Sequence, residues 1–290
     1  MVKVLSFGEI LWDIYPDKKY IGGAPFNFAA HLAKHGEKAY MLSCLGKDKL
    51  GKEALLCLNE YNVLSNYVSL SAVKETGQCL VTLGENTIPS YDLKEDVAYD
   101  YIDCENLNED FDVLYFGTLA LRNRYNLNSL CELLRRQKFK EVFVDVNIRA
   151  PFYSYESVDF CINNATILKV SSEELPIIAD LLSMDSNIGY KEFVALLKEK
   201  YSNLGIIVIT LGDDGAYCYD CKEDKAYSCK SQKVEVASTV GAGDSFSAAF
   251  LYQFLLERNI QFCLEYASRV AGYVVSKYES VPNYNACNFL

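Results

Sequence analysis

The 290-residue chain predicts a three-layer αβα sandwich: helices on both faces of a mostly parallel central sheet, with a small second β-sheet beside it. Three observations predict it. Short apolar runs recur without the in–out alternation of half-exposed strands, so they are covered on both faces. Helical patterns lie between them, and strand, helix, strand repeated in this way builds a parallel sheet with helices on each side. Two stretches, 11–21 and 73–102, instead carry alternating or mixed patterns broken by turn residues, which suits antiparallel strands outside the main sheet.

The apolar runs, in chain order, are Val2 to Phe7, Ala39 to Cys44, Val113 to Phe116, Val142 to Val146, Thr166 to Val170 and Ile206 to Leu211. Helices are predicted over Phe26 to His35, Gly51 to Tyr61, Leu127 to Lys138, Ser172 to Leu182 and Tyr190 to Tyr201. Leu11 to Ile21 and Val73 to Ile102, with turns at Gly84-Glu-Asn-Thr and Ile88-Pro-Ser, make the small sheet. A hairpin is expected from Gly215 to Cys221 and from Ala226 to Lys233, around Lys222-Glu-Asp-Lys225. A further helix starts at about Gly243, because Phe246, Phe250 and Phe254 recur every four residues with Ala249 and Leu256 beside them. No repeat, low-complexity segment or linker divides the chain, so residues 1–290 read as one domain.

Half the residues are apolar and 23% are charged, the balance of a globular protein with a sizeable core. A net charge of −11 lacks the basic patch that a nucleic-acid or anionic-membrane surface needs. It leaves ATP open, since phosphates can be held by backbone amides, one or two Lys or Arg, and Mg²⁺. No apolar run approaches a membrane span. The opening Met1-Val-Lys-Val-Leu-Ser-Phe-Gly reads as a buried strand and not as a signal peptide. The eleven cysteines are irregularly spaced and read as reduced, small apolar residues, which places the protein in the cytoplasm. Cys218-Tyr-Asp-Cys221, with Cys229 beyond, lacks the fourth ligand and second close pair of a zinc site and is read as part of the hairpin. His31 and His35, four apart on a helix, could seat a metal; with no third ligand in view they are read as a solvated helix face.

The chemistry gathers at Ser238-Thr-Val-Gly241-Ala242-Gly243-Asp244-Ser-Phe246, a small-residue turn running straight into a helix. The first amides of a helix have no intrahelical partner and sit at the positive end of its dipole, so they form an anion site. Asp244 in the first turn reads either as an ordinary cap or as the carboxylate that takes a hydroxyl proton during phosphoryl transfer. A second stretch, Gly22-Gly23-Ala24-Pro25-Phe26-Asn27, leads paired glycines into a helix whose first turn suits Pro25. Asn27 there reads as a local hydrogen-bonder or as a ligand. Asp13 lies just past the first strand's C-terminal end, where ligands gather in open α/β sheets, and a carboxylate can accept from two hydroxyls at once. Arg149, in Asp145-Val-Asn147-Ile-Arg149, reads as a clamp or as a surface ion pair. Ser171 and Glu174 make a capping box.

Taken together, these stretches resemble the ribokinase-type (PfkB) carbohydrate kinases, from Phe7 to about Pro282. The resemblance implies a ribokinase-like fold with the small sheet, from insertions at about 11–21 and 73–102, as a lid over the sugar. It implies Asp244 as the base, with Gly241, Ala242 and Gly243 as the anion hole. The backbone at Gly23 and the Asn27 side chain would hold sugar hydroxyls. The Gly8-Glu-x-Leu-x-Asp13 pattern is similar to bacterial fructokinases, where this Asp binds the sugar, and Arg149 follows as a sugar or phosphate clamp. Glu174 would organise Mg²⁺ through water. Thr210, Gly212 and Gly215 of the Thr210-Leu-Gly212-Asp-Asp-Gly215 loop, with Lys169, would face ATP. The implied activity is ATP-dependent phosphorylation of a sugar hydroxyl, with fructose as the first substrate. The alternatives are a kinase of 2-keto-3-deoxygluconate, ribose or a nucleoside, and a catalytically weak sugar-binding regulator. Four positions depart from the pattern: Ser238 for an Asp, Ser171 for an Asn, His35-Gly36 for Leu-Gly, and Glu279 for a Gly. With Ser238 lacking charge and Glu279 where a Gly is usual, the family's monovalent-cation site is expected to be weakened. An open-edged lid sheet also suits a homodimer through the lid.

Overall fold

The computed structural model describes residues 2–83 and 89–290. Its main sheet is built from β1 (Lys3–Phe7), β4 (Lys38–Gly46), β5 (Leu64–Ser71), β8 (Val113–Phe116), β9 (Glu141–Asp145), β10 (Ile167–Ser171), β11 (Ile206–Thr210), β12 (Ala216–Asp220) and β13 (Lys225–Cys229). Their order is β13-β12-β11-β10-β9-β8-β1-β4-β5. The pairs from β11 to β5 are parallel, and the β12–β13 hairpin adds two antiparallel strands at one edge.

Unbroken apolar runs are explained strand by strand. Neighbouring residues on a strand point to opposite faces. Val4, Val113, Tyr115, Phe143, Ile167 and Val208 enter one core, packed under α1 (Ala24–Lys34), α2 (Lys49–Glu60), α7 (Ala242–Leu255) and α8 (Ile260–Val275). Their neighbours Leu5, Leu114, Val144, Leu168 and Ile207 enter the other, under α3 (Arg124–Arg136), α4 (Tyr155–Asn164), α5 (Leu175–Leu181) and α6 (Tyr190–Lys200). Both faces are buried, so both sets must be apolar.

The small sheet runs β3 (Lys19–Gly22), β2 (Leu11–Ile14), β6 (Gly77–Leu83), β7 (Pro89–Leu93). It corrects one expectation: β2 and β6 pair parallel, while the other two pairs are antiparallel. Antiparallel strands can be joined by a tight hairpin, whereas β2 and β6 come from separate insertions and meet only through a long crossover. The turns expected at Gly84-Glu-Asn-Thr and at Ile88 lie outside the described residues. Trp12 Nε1 donates to the Leu50 carbonyl of α2 at 3.0 Å, and Lys19 pairs with Glu53, so two contacts tie this sheet to α2.

β5 is an edge strand with a half-exposed pattern, which is why it shows no apolar run. The helix expected from Ser172 begins at Leu175, because residues 171–174 form a separate turn closed by Ser171 and Glu174. The reading of His31 and His35 as a solvated face is overturned, since both are buried. α1 packs on α7 and the sheet, and the C-terminal loop of residues 276–284 covers its last turn through Tyr284. That cover comes from a segment some 250 residues away, with His31 to Tyr284 separated by 253 positions.

Candidate active site

The C-terminal ends of β1, β9, β10 and β11, the start of β2 and the N-termini of α1 and α7 converge on one edge of the molecule. α7 begins behind Gly241, whose φ of 81° lies in the left-handed region. A Cβ there would also overlap the Ser280 carbonyl, so the turn requires glycine twice over. Ser245 N closes the first helical bond on the Gly241 carbonyl at 2.9 Å, and Ala242 N makes a long 3.3 Å bond to Thr239.

Asp244 stands in that first turn, buried, and its Oδ2 accepts from Asn27 Nδ2 at 2.8 Å. The two motifs that sequence places 217 positions apart are thus in direct contact. Burial raises the Asp244 carboxyl to about 6; the nearby Asp145 carboxylate adds to the rise, while Asn27, Lys169 and Arg149 oppose it. A carboxyl raised toward neutrality and held by a donor is matched to general base work.

Lys169 stands at this end of the site. Its Nζ lies 2.7 Å from Asp145 Oδ2, with only 5% and 3% of the two side chains exposed. Ser247 of α7 donates to the same Asp145 oxygen at 3.0 Å. The ammonium lies 3.2 Å from where Gly243 would carry a Cβ, against the floor of the turn. Burial alone would lower its pKa, but Asp145 and Glu174 outweigh it and hold the group charged. Glu174 has both oxygens engaged, Oε1 by Ile148 N at 2.6 Å and Oε2 by Ser171 N at 2.7 Å. Burial, then the Asp145 carboxylate, raises its pKa.

On the other side, Asp13 of β2 stands beside its register partner Cys79 of β6. Gly22 leaves room for it, since a Cβ there would stand 2.8 Å from Asp13 Oδ2. Burial lifts Asp13 to about 6 against the pull of Cys79 and Arg149. Gly23, at φ 105°, is the N-cap of α1. Glu9, which sequence left without a role, caps the helix instead: its Oε1 accepts from Ala24 N at 3.2 Å. It is raised to about 7, by burial first, with Asp244 raising and Arg149 lowering it. The signal was present, an acid directly after an apolar strand at the ligand-gathering end. Arg149 is exposed, and none of the ion pairs among the described residues includes it. Its charge lowers the pKa of Glu9, Asp13 and Asp244.

Thr210 ends β11, and Gly212–Asp214 form a single 3-10 turn with Gly212 and Gly215 at φ 56° and 101°. This loop flanks a cavity of about 630 Å³ lined by Ser172, Leu211, Asp214, Tyr217 and Lys230, among others. It contributes no hydrogen bond to the Asp244 cluster among the described residues.

A buried carboxylate in a glycine-rich helix-terminal turn thus stands at one end of an αβα sandwich with an appended small sheet. The chain belongs to the pfkB family of carbohydrate kinases, whose model matches residues 8–286. It is 26% identical over 276 residues to a 5-dehydro-2-deoxygluconokinase of Listeria innocua, covering 90% of this chain and 82% of that one. Its fold matches an uncharacterized sugar kinase of Pyrococcus horikoshii in complex with ATP, with a TM-score of 0.84 at 23% identity over 98% of this chain and 96% of the other. A fructokinase with bound ATP from Xylella fastidiosa matches with a TM-score of 0.83 at 20% identity, covering 96% and 94% of the two chains.

Proposed function

We propose that this carbohydrate kinase transfers the γ-phosphoryl group of ATP to a hydroxyl of a keto-sugar, with Asp244 as the base. The observation that carries the reading is the Asp244 carboxylate, buried at the mouth of the Gly241–Gly243 turn and held by Asn27. The hydroxyl gives its proton to Asp244 and its oxygen attacks the γ-phosphorus in line, as the bond from that phosphorus to the β,γ-bridging oxygen breaks and ADP leaves. The amides of Gly241, Ala242 and Gly243 receive the charge that develops, and the Lys169 ammonium beneath them adds a fixed positive charge. Asn27, Gly23 and Asp13 hold the sugar, and Thr210, Gly212 and Gly215 line the nucleotide side.

Mg²⁺ fits this donor set through Glu174. A carboxylate oxygen with one N–H donor keeps acceptor capacity, and oxygen ligands suit a hard cation. Among the described residues no group of three His, Cys, Asp or Glu is arranged to hold a metal, so Glu174 would share the ion with the phosphates. When bound, Mg²⁺ neutralises phosphate charge.

Fructose is the first reading, from the Gly8-Glu-x-Leu-x-Asp13 and Asp145-Val-Asn-Ile-Arg149 patterns. Arg149, exposed and without an ion-pair partner among the described residues, favours a second: a keto-sugar acid such as 5-dehydro-2-deoxygluconate, whose carboxylate it would clamp. ADP release from a panel of fructose, 5-dehydro-2-deoxygluconate, 2-keto-3-deoxygluconate, ribose and nucleosides decides between them. Arg149→Ala should raise KM for an acid substrate about tenfold or more and leave fructose within about threefold. Saturable sugar binding without any turnover would instead mark a regulator. The open edges of the small sheet remain the proposed homodimer contact, and a monomer by light scattering at micromolar concentration would remove it.

A further inference from the structure

The last turn of α1 and the C-terminal loop share a run of hydrogen bonds that the reaction above leaves without a role. His31 is wholly buried. Its Nε2 lies 2.9 Å from the carbonyl oxygen of Ser280, and its Nδ1 lies 2.8 Å from the Tyr284 hydroxyl. A carbonyl can only accept, so Nε2 carries the hydrogen and donates. Nδ1 is then bare and accepts from the Tyr284 O–H. The Tyr284 ring stacks on the imidazole, with centroids 5.7 Å apart and planes at 19°. Burial holds the imidazole pKa down at about 3; the hydrogen bond to the Ser280 carbonyl opposes this, and the titratable neighbours His35 and Lys34 lower it further. His35 in turn donates from Nδ1 to the His31 carbonyl at 2.7 Å. The ring is neutral and in a single tautomer.

Ser280 reaches the reacting groups from the other side of the loop. Its Oγ donates to Asn27 Oδ1 at 3.2 Å. With that oxygen engaged, the NH₂ end of the Asn27 amide is the end turned to Asp244 Oδ2, at 2.8 Å. Reversed, the amide would set oxygen against carboxylate, two acceptors with no hydrogen between them. The backbone of Ser280 also fills the space where Gly241 has no Cβ, so it backs the turn that opens the anion hole. One residue therefore touches both the group that orients the base and the turn that cradles the phosphoryl, and His31 fixes that residue.

We propose that His31 is a positioning residue for catalysis: seated by Tyr284, its Nε2–H pins Ser280, and through Ser280 it sets the Asn27 amide against Asp244 and holds the Gly241 turn. The inference rests on the reading of Asp244 as the base. A neutral ring with its hydrogen on Nδ1 would break the arrangement, because the bare Nε2 would then face the Ser280 carbonyl, two acceptors with no hydrogen between them. Displacement of a catalytic group by about 1 Å can cost on the order of a hundredfold in rate, so a remote seat of this kind is expected to act on kcat and not on binding.

Three variants and one spectrum test it. Ser280→Ala removes one hydroxyl and leaves the backbone carbonyl. His31→Phe keeps an aromatic ring without either nitrogen. Tyr284→Phe keeps the stack and frees Nδ1. Ser280→Ala and His31→Phe should each lower kcat about tenfold or more, with KM for sugar and for ATP within about threefold; Tyr284→Phe should cost about threefold. Long-range ¹⁵N–¹H spectra of the full chain should show His31 protonated at Nε2 alone from pH 5 to 8. The proposal is overturned if Ser280→Ala and His31→Phe both keep kcat within about twofold of wild type while only Tm falls. It is equally overturned if the His31 ring carries no hydrogen on Nε2 at pH 7. A wild type that turns over no sugar defeats the kinase reading itself, whereas an active wild type with inert variants defeats this proposal alone.

Discussion

The two ends of the site differ in how closely their carboxylates are tied into the main body of the fold. At the Asp244 end, the carboxylate sits between α1 and α7, which pack on each other and on the main sheet. Its surroundings are closed: Asn27 on Asp244, Ser280 on Asn27, Lys169 on Asp145, Ser247 on Asp145. At the Asp13 end, the carboxylate hangs on a four-stranded sheet whose outer strand β3 is largely exposed. That sheet is tied to α2 by Trp12 and by the Lys19–Glu53 pair, and the nearby Arg149 has no ion-pair partner among the described residues. The difference assigns the work. Charge that develops during transfer needs a preorganised frame, whereas recognition of one sugar among several needs groups left open to it.

Gly241→Ala strikes the Asp244 end hardest. The new Cβ meets both a left-handed φ and the Ser280 backbone. kcat should fall about thirtyfold or more, with sugar affinity within about threefold. Unchanged kcat would mean that the turn is not the anion hole.

Asp13→Ala should act on the open end: KM for sugar up about tenfold, kcat altered less. Trp12, the single tryptophan and Asp13's neighbour, should report sugar binding as a saturable fluorescence change that this variant abolishes. A signal that survives with the same affinity would remove Asp13 from the site.

Glu9 lies between the two ends, and its effect is on stability. Its folded pKa of about 7 exceeds the ordinary 4.5, so the folded state binds the extra proton. The stability this lends is complete below about pH 4.5 and is lost as pH rises through 7. Glu9→Gln removes the titration, so its Tm relative to wild type should climb from pH 5 to 8, by about 1 kcal/mol or more in stability. A constant difference would show that Glu9 titrates normally.

The smallest effect concerns monovalent cations. Ser238 brings no charge, and the Ser280 carbonyl is already taken by His31. Exchange of K⁺ for a bulky organic cation at constant ionic strength should change activity less than about twofold. Strong, saturable activation would show a rebuilt site, with Glu279→Gly as the variant to examine.

What the sequence made legible divides along the same line. The sandwich could be read because strands buried on both faces must be apolar at every position. β5 could not, because its side chains are half exposed, and the parallel β2–β6 pairing could not, because strand partners are not local. Asp244, Asn27 and their turns stood out by glycine spacing. The Lys169–Asp145 pair did not, although the two are direct register partners on β10 and β9; only the strand order brings them together. His31 was misread because a histidine on a helix looks polar, and the loop that buries it lies near the other end of the chain.

The central claim is that Asp244 removes the hydroxyl proton, and Asp244→Asn tests it most directly. Asn also suits the first turn of a helix, so the fold should be spared. On one preparation of each protein, Trp12 fluorescence would give sugar affinity and ADP release would give turnover. The account predicts affinity within about threefold of wild type and kcat lower by about a hundredfold or more. Turnover within a few-fold of wild type would reduce Asp244 to a structural carboxyl and contradict the account.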